Sequence, residues 1–327
     1  GDEGVVPLPW LLETLGSLLT AGQRELVLLK ILDPLPQEVW GDLYFELHEE
    51  KQEVYVVTNV DATAWPDGVG AIRFGFDPGK LEQYPDEAAF KQAFRESVAA
   101  YELVRREIDA VLDQRRKEHG VALDAALEPE RLEAWQSELP EGLLAREREL
   151  RSAMEAFSRF LPLRVGDVVK VPCFTPHSLQ HGVRTVEFQT PVYERKILSF
   201  AQKVLTQGHW DTDDAVELMQ LQAADQAPFG VVRKNDSAFV ERIVDFDDFE
   251  VQRWRLQPGL GDRLMHQSAY ALVMAVDGTV SVGQRKLEPE QACLVPSALG
   301  ATELVNEADM VATVLVALPK KADSVVG

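Results

Sequence analysis

The stretch Gly41-Asp-Leu-Tyr-Phe-Glu46-Leu-His48-Glu-Glu-Lys51-Gln-Glu53 decides how this chain is read. Residues two apart on a strand point to one face, so Glu46 and His48 share a side. A hairpin at residues 49–52 would return the chain and set Glu53 across from them. Two carboxylates and an imidazole around one point suit Zn²⁺ and, less selectively, Fe²⁺, Co²⁺ or Mn²⁺. Taken alone, the same spacing describes the solvated charges of an exposed hairpin equally well.

The flanking sequence supplies the fold class. Upstream, residues 9–21 (PWLLETLGSLLTA) pattern as a short amphipathic helix and Glu25–Leu32 as an apolar strand. Downstream, EVYVVTNV and VGAIRFGF read as strands, punctuated by turn signals at Asp67-Gly68 and Asp77-Pro78-Gly79. The period then changes. From about 85 to 161 apolar residues recur at three and four, with Asp86 placed to cap a long helix ending near Gly120. Two shorter helices are expected at 128–138 and 141–160. Short strands return at 166–171 and 184–190, and again from Phe249 to Pro319. The expectation is a mainly β chain with a helical segment.

A second segment changes the standing of the first. Gly166-Asp-Val-Val-Lys-Val-Pro172-Cys-Phe-Thr-Pro-His177 has glycine, five residues, proline, then four residues before histidine. Together the two segments resemble the paired motifs of the cupin fold. The resemblance implies two jelly-roll β-barrels, with Glu46, His48, Glu53 and His177 as metal ligands. Phe174 stands where that motif carries glycine. The implied boundaries are a first cupin at 1–200 holding the metal and the helical insertion at about 85–161, a linker at 201–246, and a second cupin at 247–327. In the second half Ala301 falls where a ligand histidine would, so that cupin is expected to be metal-free. It is left to cover one side of the pocket or to form a homodimer contact.

Further residues narrow the resemblance to the class I mannose-6-phosphate isomerase family. Leu28-Leu-Lys-Ile-Leu-Asp33 is similar to the family's strand before its Gln-x-His, and Lys51-Gln-Glu53 to its Lys-x-Glu. Thr175-Pro-His177, Val186-Glu187-Phe-Gln189 and Tyr193-Glu-Arg195 resemble three more of its segments. The likeness implies interconversion of mannose 6-phosphate and fructose 6-phosphate, or of a related sugar, with one zinc ion. It implies Glu187 as the proton-transferring base, Arg195 as stabiliser of the enediolate oxygen and Lys51 as an orienting group. The chain departs from the family at Glu46, which replaces glutamine and adds a negative charge, and at Lys196–Phe200. Each role has a plainer counterpart: Glu187 and Arg195 as structural ion-pair partners, Lys51 as a solvated turn lysine. His119 and His266 read as surface residues, His181 as a turn residue and Asp211 as a helix cap.

Composition bounds the partners. The 327 residues carry a formal net charge of −21, which repels phosphodiester backbones and argues against nucleic acid. Two cysteines make no disulfide framework and suit a reducing cytosol. No apolar run approaches membrane-spanning length, and the first residues lack a basic, signal-like region. A cytoplasmic protein acting on a small sugar is expected. The competing readings are a non-catalytic metal- and sugar-binding bicupin and an iron-dependent cupin oxygenase, for which two carboxylates are a poorer ligand set than histidines. Arg73, Arg184, Lys196 and Lys203 are the basic residues available in principle for a phosphate.

Overall fold

The computed structural model describes residues 5–37, 43–123, 125, 127–199, 207–222, 224, 226–266 and 269–320. Gly41, Asp42, Phe200 and Lys203 lie outside the described residues. Helix α1 (Leu8–Leu19) precedes strands β1 (Leu28–Leu32), β2 (Phe45–Leu47), β3 (Glu53–Val60) and β4 (Gly70–Phe76). Helices α2 (Pro78–Leu81), α3 (Glu87–Glu118), α4 (Pro129–Gln136) and α5 (Leu143–Glu155) follow. Then come β5 (Ser158–Leu163), β6 (Val168–Val171), β7 (His177–Leu179), β8 (Val183–Gln189) and β9 (Lys196–Ser199), and helix α6 (Thr212–Leu218). The remainder is nearly all short strands. No helix among the described residues is long and apolar enough to cross a membrane.

The strands form four antiparallel sheets. In the first half, β1-β8-β3-β6 make one sheet and β5-β4-β7-β2-β9 the other. Tyr55, Val57, Val169 and Val183 of the first meet Ile72, Phe74, Leu163 and Leu179 of the second in a shared core. The later strands form a six-stranded and a four-stranded sheet, filled between by residues such as Trp254, Val273, Val314, Leu264 and Val280. Each half is thus a pair of antiparallel sheets packed face to face, and none of the sheets closes into a barrel among the described residues.

The sheet β1-β8-β3-β6 is covered on both sides. Along β3 and β8, Val54, Val56, Val186 and Phe188 point away from the first core and pack on Ile243, Phe249, Val251, Met274 and Leu315 of the later strands. Each such apolar side chain contributes about 1.5–3 kcal/mol on burial. The alternate positions, Glu53, Tyr55, Thr185, Glu187 and Gln189, therefore face inward and are buried as well.

The helices cover the other outer face. Phe45 and Leu47 of β2, Phe76 of β4 and Leu198 of β9 pack on Phe90, Phe94, Val98 and Tyr101 of α3 and on Ala215 and Val216 of α6. Asp86 caps α3 as its position predicts, its carboxylate accepting from Ala89 N at 2.8 Å. The expected helix at 141–160 stops at Glu155, because Ser158–Leu163 pairs with β4 as a strand. Asp211 precedes α6 without capping it; its side chain accepts from Ile197 N at 2.9 Å and ties helix to strand.

One turn bears on the site. Phe174 adopts φ 63°, the left-handed conformation that glycine takes without steric cost. Its N–H donates to His48 O at 2.7 Å and its carbonyl accepts from Gln220 N at 2.9 Å. The turn thus keeps a glycine-like shape with a phenylalanine in it, joined directly to the His48 segment. We expect Phe174→Gly to be more stable than Phe174→Ala by about 1 kcal/mol in urea unfolding, because both lack the ring and only alanine retains the Cβ clash. Equal stabilities would show that the turn relaxes without strain.

Candidate metal centre and its cavity

Glu46 is the middle residue of β2 and points inward because Phe45 and Leu47 are turned toward the helices. Its backbone lies opposite His177 of β7. His48 follows the strand and keeps the same face, with Nε2 3.8 Å from Glu46 Oε1. Glu53 opens β3 in the facing sheet. The segment 49–52 is therefore a crossing between sheets and not the hairpin expected from sequence, since β2 and β3 share no ladder. A carboxylate holds the crossing: the N–H groups of Glu49, Glu50 and Lys51 all donate to Glu194, the last two at 2.9 and 3.3 Å.

Glu53 lies between the two imidazoles. Its Oε1 is 3.5 Å from His48 Nε2 and its Oε2 is 3.2 Å from His177 Nε2. Lys51 Nζ reaches Oε1 at 2.6 Å, and the Tyr55 hydroxyl donates to Oε2 at 2.6 Å. His48, His177 and Glu53 are each at most 2% exposed. Burial alone would push the Glu53 carboxyl up, but His177 and His48 beside it hold it well below the usual carboxylate range. The same contact raises His177 against the effect of its own burial.

The donor set fits a cation. His177 Nδ1 lies 2.9 Å from Thr175 O, which can only accept, so the proton is on Nδ1. In the neutral ring, Nε2 then turns a lone pair toward a buried carboxylate oxygen. Two acceptors in that position need a proton or a metal ion between them. Among the described residues both ring nitrogens of buried His48 are without a hydrogen-bond partner, a cost of about 1–3 kcal/mol unless a ligand satisfies one. Glu46, His48 and His177 place one ligand atom each within 4.8 Å of one another and form a group able to hold a metal ion. Neighbouring ligands in a tetrahedral zinc shell lie roughly 3.3 Å apart, and the 3.2, 3.5 and 3.8 Å separations bracket that value.

Beside this group lies a cavity of about 540 Å³. Glu187, on β8, faces into it; the register sets it next to Tyr55 on one side and Lys30 on the other. Lys30 Nζ is 3.1 Å from Glu187 Oε1 and also donates to Gln189. Burial and the nearby Glu53 charge push Glu187 up to about 7, with Lys30 opposing them. Arg195 lines the same cavity, donating to the Tyr44 hydroxyl at 2.7 Å with its guanidinium over the ring.

All seven residues singled out from sequence thus border one region. Sequence reading missed Lys30, Tyr55, Tyr44 and Glu194. The signal for Tyr55 was present, two residues from Glu53 on one strand face; Glu194 acts through backbone amides, for which sequence carries no pattern. His181 sits in a turn, its Nδ1 3.0 Å from Leu35 O, and does not line the cavity. His266 is not a surface residue: it is 4% exposed, with Nδ1 2.8 Å from Ala269 O.

Solved structures share this fold. Mannose 6-phosphate isomerase from Bacillus subtilis superposes with a TM-score of 0.62 at 13% identity, over 97% of this chain and 83% of that one. The apo form from Salmonella typhimurium gives 0.61 at 13%, over 97% and 87%. A zinc-bound mannose 6-phosphate isomerase gives 0.61 at 12%, over 97% and 86%. At these identities the likeness establishes the fold. No protein-family profile matches the chain, and no curated protein sequence does.

Elemental analysis of the purified protein should find a bound divalent ion. Glu46→Ala, His48→Ala and His177→Ala should each weaken its binding by more than about tenfold, the loss seen even for partners outside the ligand sphere. Full occupancy in all three variants would remove the assignment.

Proposed function

We propose that this protein is a metal-dependent aldose–ketose isomerase built on two cupin-like sheet pairs, with mannose 6-phosphate and fructose 6-phosphate, or a related sugar pair, as the reference reaction. In this reading residues 1–200 form the metal-bearing unit with the helical segment inserted in it, 201–246 the linker and 247–327 a metal-free second unit. Glu53 is the fourth ligand beside Glu46, His48 and His177, and zinc is the ion. The observation that carries the reading is a buried carboxyl poised near neutrality, Glu187, in the same cavity as the Glu/His/His group.

A divalent ion held there would polarise the carbonyl and hydroxyl oxygens of an open-chain sugar. The protein's own groups carry the proton. Glu187 removes the C2 proton of the aldose; the C–H pair becomes the C1–C2 double bond, the carbonyl pair moves onto O1, and O1 takes the proton of O2. Closing the carbonyl at O2 then pushes the double-bond pair onto C1, which takes the proton back from Glu187 to yield the ketose. A base working near neutral pH needs a pKa near 7, and burial supplies it here. Arg195 stabilises the developing oxyanion with a charge that does not titrate. Lys51, buried against Glu53, orients a substrate oxygen. Lys30 fixes the Glu187 carboxylate and sets its proton affinity.

Metal-loaded protein should interconvert at least one member of a panel of free and phosphorylated aldoses and ketoses, and Glu187→Gln should lower kcat by about 10²–10⁴. Metal bound without turnover on the whole panel would favour the non-catalytic sugar-binding reading.

The base must be ionised, so kcat/KM should rise with pH through its pKa and fall about tenfold per unit below it. A bound cation draws Glu187 down, placing the acidic limb at or below about 7. Lys30→Met removes an opposing charge and should move that limb upward. An unmoved limb would show that Glu187 is not the titrating base.

A further inference from the structure

This inference rests on the isomerase reading and concerns its substrate. We infer that the cavity takes an uncharged open-chain aldose and its ketose, and discriminates against their phosphate esters.

The first reason is charge. Five carboxylates line the cavity, those of Asp33, Glu46, Glu53, Glu187 and Glu194. Among the described residues only Lys30, Lys51 and Arg195 line it as cations. Each is engaged: Lys30 with Glu187 and Gln189, Lys51 with Glu53, Arg195 with Tyr44. Asp33, the outermost of the five, is paired with Arg184, and a divalent ion would offset the remaining acidic excess and leave at most a small surplus for a phosphate dianion. The net charge of −21 opposes such an anion before it arrives.

The second reason is the missing cradle. Phosphate sites are made from helix N-termini, from runs of backbone amides, or from arginine forks. Among the described residues no helical residue and no glycine lines this cavity. The run of amides at residues 49–51, of which Lys51 lines the cavity, is filled by the chain's own Glu194 carboxylate.

The third reason is where the other candidate cations among the described residues went. Arg73 is buried against Ser158, Glu155 and the Phe160 ring. Arg184 pairs with Glu290 and Asp33, and Lys196 with Glu49. None of the three lines the cavity. What the wall offers is carboxylates and hydroxyls, which hydrogen-bond sugar hydroxyls, and the rings of Tyr44 and Tyr193, whose faces suit C–H groups.

The test uses metal-loaded protein with two readouts. Initial rates compare mannose with mannose 6-phosphate, and fructose with fructose 6-phosphate. Calorimetry compares mannitol, an open-chain analogue that cannot isomerise, with mannitol 6-phosphate. We expect kcat/KM at least tenfold higher for the free sugars and mannitol bound at least tenfold tighter than its phosphate. Equal values, or a preference for the phosphates, overturn the inference. If no sugar turns over, the isomerase reading fails while binding still decides the charge preference: tighter mannitol upholds it, and equal binding, tighter phosphate or binding of neither overturns it.

Discussion

The interior of the first sheet pair is arranged around one buried charge, the carboxylate of Glu53. An ionised carboxylate taken from water costs several kcal/mol unless charged and hydrogen-bonding groups surround it. Here those groups come from several elements: Lys51 from the sheet crossing, Tyr55 from the same strand, His48 from the end of β2 and His177 from β7. The carboxylate is stable only where the two sheets meet. The imidazole nitrogens that face it approach only carboxylates among the described residues, His177 that of Glu53 and His48 those of Glu53 and Glu46. Fold and candidate metal centre are thus one electrostatic arrangement.

That arrangement requires a sheet buried on both faces. Polar residues at alternate positions of a strand ordinarily mark its solvent side. On β8 the alternation Thr185, Glu187, Gln189 against Val186 and Phe188 has another meaning, because the apolar set packs on the later strands while the polar set is buried inward, with Glu187 and Gln189 lining the cavity. The later half, although it contributes no ligand to the Glu/His/His group, therefore fixes which way Glu187 points.

Much of this was legible in sequence. Glu46 and His48 share a face because strand geometry has a period of two, a local property. The Asp86 cap of α3 is equally local. The expected hairpin at 49–52 fails because short polar turns look alike whether they join neighbours in a sheet or carry the chain between sheets; Glu194, more than 140 residues away, makes the difference. Phe174 shows the converse case. A residue ill suited to a left-handed conformation holds it because hydrogen bonds to His48 and Gln220 determine the backbone.

The sequence by itself determined the chemistry on offer: two histidines and two carboxylates at strand spacing, a lysine, an arginine and a further carboxylate in matching segments. It could not determine which charges remain free. Residue types and spacings are local, whereas ion pairing depends on distances that only the folded chain sets. The tertiary structure decided that Lys30 faces Glu187, that Arg73, Arg184 and Lys196 are committed elsewhere, and that Glu194 fills the amide turn. The balance of charge inside the cavity follows from those pairings, which no motif in the chain records.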